Sequence, residues 1–288
     1  MLTKTDGIQI LLIVFILFQG IDVQGQWVQQ KGRGYYKGGV WWLEADAHYT
    51  NVGKIDPNAT RGLFITSFFG RYGLTNKVTL VGYFPHVRVY QNRQVYSSGR
   101  TPLPGEQFSS LGDINLGMEF QWFQKKGWAI SSSLTFGLPT GNQRGGSDGS
   151  YQTGDGEFNQ IFRFHLGRSY RLASQRFYAK VNVGVNQRSL GFSDEFRAGF
   201  ETGTKIVSKK VLILGRVNLI ESFQNGTLDA STSNGSIFAN NVEVVNVGGA
   251  LIVDLFKDWN LSFGASYPVR GRVLYRAPAW SSGLSLQL

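Results

Sequence analysis

Carboxylate, imidazole and hydroxyl side chains are the groups in this 288-residue sequence that could do chemistry, and their spacing decides which chemistry. Glu44 and Asp46 are two residues apart, so on an extended strand both carboxylates lie on one face, about 7 Å apart. Glycosidases use paired carboxylates, but no aromatic platform for a sugar lies between these two. We therefore interpret them, together with His48 on the same face, as polar lining.

Serine hydrolysis would need a nucleophile that is hydrogen-bonded to a base, and a third polar group to orient that base. Ser132 and His165 are the pair to consider for a lipid hydrolase, which would work on a lipid-facing surface. Alternation along their strands places Ser132 outward and His165 inward, so the two side chains do not meet. The sequence predicts no enzyme and no catalytic residue, and lipid hydrolysis is the least favoured function.

Metal and nucleotide sites are not predicted either. The sequence has no Cys and its three histidines are scattered, which disfavours thiolate and histidine metal sites. Asp148, Asp155 and Glu157 lie among glycines and could hold Ca²⁺, but their spacing does not match an EF-hand calcium loop. The stretch "GLPTGNQRGG" lacks the Gly-Lys-Ser/Thr of a phosphate-binding loop. We expect no metal and no cofactor.

A repeated pattern of extended strands positions these side chains. In "LGDINLGMEFQWF", residues 111–123, apolar side chains alternate with polar ones, and the alternation recurs in 128–138, 177–186 and 259–267. The polar face carries small residues with isolated charges, and the apolar face often begins or ends with an aromatic residue. A soluble sandwich would place long charged side chains outward, so the pattern favours a membrane barrel with a narrow, wet lumen.

Twelve segments show this pattern, and short and long connections alternate between them. The predicted fold class is all-β, a single transmembrane antiparallel up-and-down β-barrel of about 12 strands with both termini on the short-turn side. The predicted strands are 38–50, 60–72, 77–90, 112–123, 127–138, 156–168, 176–187, 195–207, 211–222, 241–255, 259–269 and 280–288. The predicted short turns are 73–77, 124–127, 169–175, 208–210 and 256–258.

The first residues of the chain predict export. Lys4 precedes an apolar run of about ten residues, which is too short to span a bilayer as a helix but is typical of a signal peptide. We expect a cleaved signal peptide at 1–25 and a barrel at 26–288, in the outer membrane of a Gram-negative bacterium with both termini in the periplasm. An N-terminal anchor or a buried helix is the alternative for this segment.

The formal net charge of +10 first suggests a nucleic-acid partner. The cations are spread among turns and strands, without a basic helical stripe or a base-stacking motif, so no nucleic-acid partner is expected. Outer-membrane lipid and the anionic phosphates of lipopolysaccharide are the expected counter-charges. The barrel-assembly machinery is the expected partner during insertion.

Charged side chains on the polar face are the candidates for lining the lumen. Acidic residues dominate the earlier strands and basic residues the later ones, which predicts an acidic wall opposite a basic wall. Such walls either set a transverse field across an open pore or pair with each other and plug it. The lumen-lining candidates are Glu44, Asp46, Asp113, Glu119, Glu157, Arg163, His165, Lys180, Arg197, Glu201, Lys205 and Arg216.

Three short motifs occur in order across residues 72–168: a Gly-Asp that opens a strand, a Leu-Pro-Thr-Gly at the end of the next strand, and a Thr-Gly-x-Gly that begins the following one. They are Gly112 and Asp113, then Leu138, Pro139, Thr140 and Gly141, and then Thr153, Gly154, Asp155 and Gly156. In these motifs the sequence resembles outer-membrane proteins of the phenol-degradation MetA-pathway family, a group of transporters. The resemblance implies an outer-membrane channel. The same residues are also explained without any function, because Gly and Pro commonly mark turns and strand ends in a loop of this composition.

The predicted function is that of an outer-membrane channel that lets small solutes pass passively, apolar or aromatic compounds among them. A non-conducting structural or ligand-binding barrel is the alternative. A barrel of about twelve strands lies between small barrels that side chains fill and large ones with open aqueous channels, so strand number alone leaves both open.

Overall fold

The computed structural model describes residues 28–96, 99, 101–207, 210–228 and 237–288. These residues form sixteen β-strands, and no helix among them is long and apolar enough to cross a membrane. The strands are β1 Gly34–Ala45, β2 His48–Tyr49, β3 Ile55–Asp56, β4 Arg61–Gly73, β5 Val78–Gln91, β6 Gln107–Leu111, β7 Ile114–Lys125, β8 Trp128–Leu138, β9 Asn159–Leu172, β10 Gln175–Arg188, β11 Glu195–Ile206, β12 Val211–Ser222, β13 Glu243–Asp254, β14 Trp259–Arg272, β15 Leu274–Tyr275 and β16 Ala279–Gln287.

Twelve of these strands form a closed antiparallel barrel, which confirms the predicted fold class. Each long strand pairs with the next along the chain, from β4 through β5 and β7 to β14 and β16. The seam closes where β1 pairs with β16 on one side and with β4 on the other. Closure leaves no sheet edge, so every spanning strand has its backbone hydrogen bonds satisfied by neighbours.

The two ends of the barrel differ. One end, here the turn end, holds short turns and the chain terminus, where the amides of Gly34 and Leu288 each donate to the other residue's carbonyl at 3.2 and 2.8 Å. The other end, the loop end, carries the long connections and a small sheet of β15, β2 and β3. This is the predicted alternation of short and long connections.

The strand β6 continues the line of β7 but is separated from it at Gly112 and Asp113. Both strands pair with β5, β6 along its loop-end part and β7 along its turn-end part. Pro85 lies opposite this break, and its carbonyl accepts a hydrogen bond from the amide of Gly112 at 2.9 Å. A proline cannot donate to a ladder, so it fits where the pairing of β5 passes from one strand to the other.

Side chains alternate between two faces of the barrel wall. Along β7, Met118 and Trp122 are 51% and 61% exposed, whereas Gln121 between them is buried. Most outward side chains between the two ends of the barrel are apolar, among them Phe164, Phe200 and Phe263, and an apolar belt of this kind belongs in lipid. Outward aromatic residues near the turn end are Tyr36, Tyr72, Trp122, Trp128, Tyr170, Phe177 and Trp259. They lie where one membrane interface is expected.

Two predicted boundaries were wrong. The first strand is Gly34–Ala45 rather than 38–50, because Tyr35, Tyr36 and Lys37 already pair with β16 and β4. The predicted turn 169–175 is much shorter, since β9 continues to Leu172 and β10 begins at Gln175. Ala173 makes this tight turn with a φ of 52°. The predicted signal peptide lies outside the described residues.

Val217 and Asn218 are neighbours on β12 whose side chains point to opposite faces. We expect Val217→Arg to lower the free energy of unfolding in lipid vesicles by roughly 2–4 kcal/mol, because it places a charge against lipid near the midplane. Asn218→Arg should fold like the parent, because its side chain points into the lumen. Urea titration in vesicles and heat-modifiable gel mobility measure both variants. Equal losses, or a larger loss for Asn218→Arg, would contradict the register.

Candidate functional site

The inner face of β1, β4 and β5 is apolar over most of its length. Leu43 pairs with Leu63, and Trp41 pairs with Ile65, with all four side chains pointing inward. Nearer the turn end the inward side chains become aromatic, and the rings of Tyr35 and Phe69 meet edge to face at 6.2 Å. We call this surface the apolar wall; its residues are Tyr35, Trp41, Leu43, Leu63, Ile65, Phe69, Val81, Tyr83, Val87 and Val89.

The opposite part of the lumen is polar. In the strand order, β10, β11 and β12 lie across the barrel from β1, β4 and β5, and β9 flanks them. Their inward side chains carry more positive than negative charge, between small residues such as Gly and Asn. We call this surface the cationic wall; its charged and histidine residues are Arg163, His165, Lys180, Arg197 and Arg216, with Glu195 and Glu201 among them.

The predicted acidic wall does not form. Glu44 pairs with Gly62 on the outward face of β1 and accepts a hydrogen bond from the Tyr90 hydroxyl at 2.9 Å, so the inward prediction for it was wrong. Asp46 follows the end of β1, where its side chain is 80% exposed and 3.6 Å from Arg93. The alternation predicted the wrong face here because the polar set of β1 was expected inward, whereas Trp41 and Leu43 point inward and place Glu44 outward.

Side chains from five strands meet in the lumen at a cluster that we call the waist. Arg71 of β4 forms an ion pair with Glu119 of β7. These two residues line a small cavity together with Ser131, His165 and Lys180. The Nε2 atom of His165 is 2.9 Å from the hydroxyl of Ser133 on the neighbouring strand. Glu119, His165 and Lys180 were lumen candidates from the sequence, whereas Arg71 was missed.

The acidic residues of the cationic wall have partners of their own. Glu201 accepts a hydrogen bond from the Tyr178 hydroxyl at 3.0 Å and lies 3.8 Å from Arg216. Nearer the turn end, Lys205 pairs with Asp254 at 2.6 Å. The opposite charges of the lumen therefore pair locally with neighbours, rather than facing each other across the barrel.

The three sequence motifs meet at one place, the break between β6 and β7. The carboxylate of Asp113 accepts hydrogen bonds from the amides of Gly141 and Asp155, each at 2.9 Å. The hydroxyl of Thr140 donates to the Gly112 carbonyl at 2.7 Å, and that of Thr153 donates to the Leu111 carbonyl at 3.0 Å. These contacts fasten the connection 139–158, here the inner loop, to the barrel wall.

Gly154 has a steric role in this cluster. A Cβ atom at this position would lie 2.4 Å from an oxygen of Asp113, closer than real side chains approach. The Gly- and Thr-rich motif residues are therefore explained by close packing of the inner loop. Leu138 and Pro139, at the end of β8, lead into that loop.

A buried ion network holds the other side of the inner loop. Arg188, at the end of β10, contacts Asp155 and Glu157 of the loop, each at 2.8 Å, and Glu195 of β11 at 3.1 Å. Glu195 is also paired with Arg197 at 2.5 Å. Only 4% of the Arg188 side chain is exposed, and Glu157 is fully buried. Such a network is costly to break, because removing the cation leaves buried carboxylates without compensation.

The loop end of the lumen is closed by apolar packing. Tyr151 of the inner loop, Ala59, Tyr275 and Ala277 pack onto the apolar wall and form a buried cluster with it. Beside this cluster, Arg61 donates hydrogen bonds to the hydroxyls of Tyr151 at 3.0 Å and Ser150 at 2.7 Å. A cavity of about 250 Å³ opens here, lined by His48, Asn58, Ala59, Thr60, Arg61, Asp148, Ser150 and Tyr275.

Deeper in the barrel the lumen holds accessible space. Arg216 and Glu201 point inward, yet 43% and 30% of their side chains are exposed. Lys205, also inward, has a side chain that is 47% exposed. Side chains that face the interior and remain exposed indicate a lumen with room for water.

The described residues include a serine–histidine pair, but they form no complete hydrolytic triad and no metal site. His86 and Ser109 lie on the outward face, with Nε2 and Oγ 3.3 Å apart. No described residue bonds to the other ring nitrogen of His86, so the pair lacks the orienting group of a hydrolytic triad. Ser132 also faces outward, where it accepts a hydrogen bond from the Trp122 indole at 2.9 Å. Within the described ranges, no three His, Asp or Glu side chains gather as metal ligands.

Comparisons with known proteins identify the fold. No protein-family model and no curated protein matches the chain. A COG4313 outer membrane channel from Pseudomonas putida F1 matches with a TM-score of 0.61 and 12% identity, covering 93% of this chain and 100% of that one. The beta domain of the Bordetella autotransporter BrkA matches with a TM-score of 0.51 and 12% identity, covering 90% of this chain and 100% of that one. The NanC porin matches with a TM-score of 0.50 and 9% identity, covering 88% of this chain and 100% of that one. At these identities the matches show a shared barrel fold.

We expect Arg188→Gln to loosen the inner loop by about 3–5 kcal/mol, because three buried carboxylates lose their shared cation. Hydrogen–deuterium exchange of the 139–158 amides should then accelerate by about a hundredfold or more. The matched control is Arg270→Gln, because Arg270 is 63% exposed and pairs with Glu221 at 3.1 Å. An exposed pair contributes about 1 kcal/mol or less. Unchanged exchange in Arg188→Gln would contradict the anchoring role.

Asp155 should make the closed inner loop depend on pH. Burial raises the pKa of Asp155 from 3.8 to about 7, with Asp113 and Glu157 adding to the rise and Arg188 opposing it. The closed loop therefore binds more protons than the open loop between roughly pH 4 and 7, and its stability falls as the pH rises through that window. Exchange of the 139–158 amides, corrected for intrinsic rates, measures this. Asp155→Asn should abolish the pH dependence of the stability of the closed loop. A parent protein whose inner loop is most stable at pH 7 would contradict this prediction.

Proposed function

We propose that this protein is a channel in the outer membrane of a Gram-negative bacterium and lets small solutes pass passively, apolar or aromatic compounds among them. The observation that carries the proposal is that charged side chains such as Arg216 and Glu201 point into a closed barrel and remain 43% and 30% exposed. A barrel that served only as a rigid support would have no need for accessible charged space along its axis. Lumen charges of this kind set the selectivity of a pore.

The apolar wall supports the solute preference. Aromatic and aliphatic side chains on one side of the lumen offer contact to an apolar solute, while the cationic wall keeps the other side hydrated. Residues 72–168 resemble the phenol-degradation MetA-pathway family, and that resemblance supports the same function. The known structures with the same fold include channels and porins by their titles.

The packed loop end favours a second candidate, a ligand-binding or structural barrel that does not conduct. Leu63 and Tyr151 are only 1% and 2% exposed, and the buried cluster around them fills part of the loop end. A solute would therefore have to enter between the loops, because this end has no wide opening. The inner loop is fastened at both Asp113 and Arg188, which keeps that end closed in the described structure. Conduction therefore separates the two candidates.

The remaining parts of the proposal concern the cell. We assign residues 1–25 to a signal peptide and 26–288 to the barrel, with the turn end in the periplasm and the loop end outside. Outer-membrane lipid and lipopolysaccharide surround the apolar belt in this proposal, and the barrel-assembly machinery inserts the chain. Protease access to the connection 92–106 in intact cells, without access to the turn 126–127, tests the orientation.

Conductance of the purified protein in planar bilayers tests the channel, and two paired residues test its selectivity. We expect Arg216→Gln to shift the reversal potential in a salt gradient toward cations and Glu201→Gln to shift it toward anions, because each removes one accessible lumen charge. No conductance and no uptake of small solutes into liposomes would favour the structural barrel. Higher conductance in both variants, without any shift of the reversal potential, would mean that the ion pair of Arg216 and Glu201 blocks the pore.

A further inference from the structure

The waist carries an arrangement of hydrogen-bond donors that the passage of solutes alone does not explain. Arg71, His165 and Lys180 line one cavity of about 20 Å³, with Ser131 and Glu119 completing its lining. The Nδ1 atom of His165 is buried and has no hydrogen-bond partner among the described residues. A buried polar atom without a partner costs free energy, so a ligand atom that bonds to it would be stabilised.

The hydrogen bond of His165 to Ser133 sets what that ligand atom must be. When the Ser133 hydroxyl donates to Nε2 across 2.9 Å, the proton of the neutral ring lies on Nδ1, which then donates. The two other nitrogen-bearing side chains at the cavity are cations with donors only. Glu119 and Arg71 neutralise each other in their ion pair, so Lys180 gives the cavity its net positive charge. The cavity therefore presents donors and positive charge, which suit an anionic oxygen.

The size of the cavity limits the anionic group. A cavity of about 20 Å³ holds roughly one water-sized group. One carboxylate oxygen fits that space, whereas a phosphate or sulfate group with its additional oxygens does not. The rest of the ligand must then lie in the lumen beside the waist.

The surface beside the waist is aromatic. Tyr35 pairs with Arg71 across β1 and β4, and Phe69, two residues from Arg71, points to the same inward face. Tyr83 pairs with Phe69 from β5. All three rings are partly exposed rather than buried, so they are open to contact. An aromatic ring would stack on these side chains while its charged end reaches toward Lys180 and His165.

We propose that the waist binds small aromatic monocarboxylates, with one carboxylate oxygen between Lys180, His165 and Arg71 and the ring against Phe69, Tyr35 and Tyr83. This inference rests on the proposed function, since it names the solute class of the same lumen. The two walls then act together: the apolar wall holds the ring and the cationic wall holds the charge. A purely apolar solute or a small inorganic anion uses only one of them.

Isothermal titration of the purified full chain in detergent micelles tests the site with four probes. Benzoate carries both a ring and a carboxylate, benzyl alcohol lacks the charge, acetate lacks the ring, and phenyl phosphate carries a larger anionic group. We expect benzoate to bind at least about tenfold more tightly than each of the other three. Equal binding of acetate, benzyl alcohol or phenyl phosphate would overturn the assignment.

Variants locate the site within the lumen. Lys180→Gln and His165→Phe should each weaken benzoate binding at least about tenfold, and Phe69→Ala should weaken benzoate but not acetate. The matched control is Lys205→Gln, because Lys205 also points inward but pairs with Asp254 away from the waist. Each variant is first checked for heat-modifiable mobility, and His165→Phe, which keeps a ring of similar size, serves where Lys180→Gln fails to fold. Unchanged benzoate affinity in the folded waist variants would overturn the proposal.

The same samples separate this inference from the proposed function. A protein that conducts salt but does not bind benzoate is a channel without this site, which overturns the inference alone. A protein that binds benzoate through Lys180 and His165 but neither conducts nor transports it keeps the site and overturns the channel. Saturation of benzoate uptake in liposomes, lost in Lys180→Gln and retained in Lys205→Gln, would support both.

Discussion

Closure of the hydrogen-bonded ring is the constraint on which the rest of this structure depends. In lipid, an unpaired backbone amide or carbonyl costs several kcal/mol, so a sheet can cross only when it has no free edge. The pairing of β1 with both β16 and β4 satisfies this condition, and it fixes the register of every strand. Register in turn decides which side chains face lipid and which face the lumen, because a shift of one residue would exchange the two sets.

The lumen that results is divided by strand order. Strands β1, β4 and β5 bring apolar and aromatic side chains inward, and the strands across the barrel bring polar and mostly cationic ones. Opposite charges meet as near neighbours, as in Arg216 with Glu201, so the field across the lumen comes from an excess of positive charge on one side. The inner loop adds the third element, since it joins the wall at Asp113 to the network of Arg188.

The sequence predicts most strands well because they have a two-residue period and stand between recognisable turns. The charged lumen candidates on β9 to β12 point inward in the structure, since Arg163, Lys180 and Glu201 lie well inside regular strands. The first strand was harder, because its polar set was expected to face the lumen, whereas Trp41 and Leu43 point inward and Glu44 points outward. No local pattern reveals that Phe69 and Tyr35 flank Arg71, because strands with apolar residues on both faces carry no alternation to read.

The buried ion network around Arg188 could not be predicted for a different reason. Its members come from the inner loop, the end of β10 and the start of β11, and only the folded chain brings them together. Asp155 and Glu157 are among glycines in the sequence, where exposed solvated carboxylates are the ordinary interpretation. Their burial is a consequence of the loop folding back into the barrel.

The contacts of the inner loop also bear on the order of assembly. Its polar contacts at Asp113 and Arg188 join residues in the middle of the chain, whereas Arg61 and Tyr275 contact the loop from positions more distant in sequence. The seam, by contrast, joins Tyr35 to Gln287, near the two ends of the described chain. Contacts that close short stretches of chain form with less loss of conformational entropy than contacts between distant ones. The polar contacts of the inner loop can therefore form while the sheet is incomplete. The loop would then already cover one side of the polar lumen when the first and last strands pair.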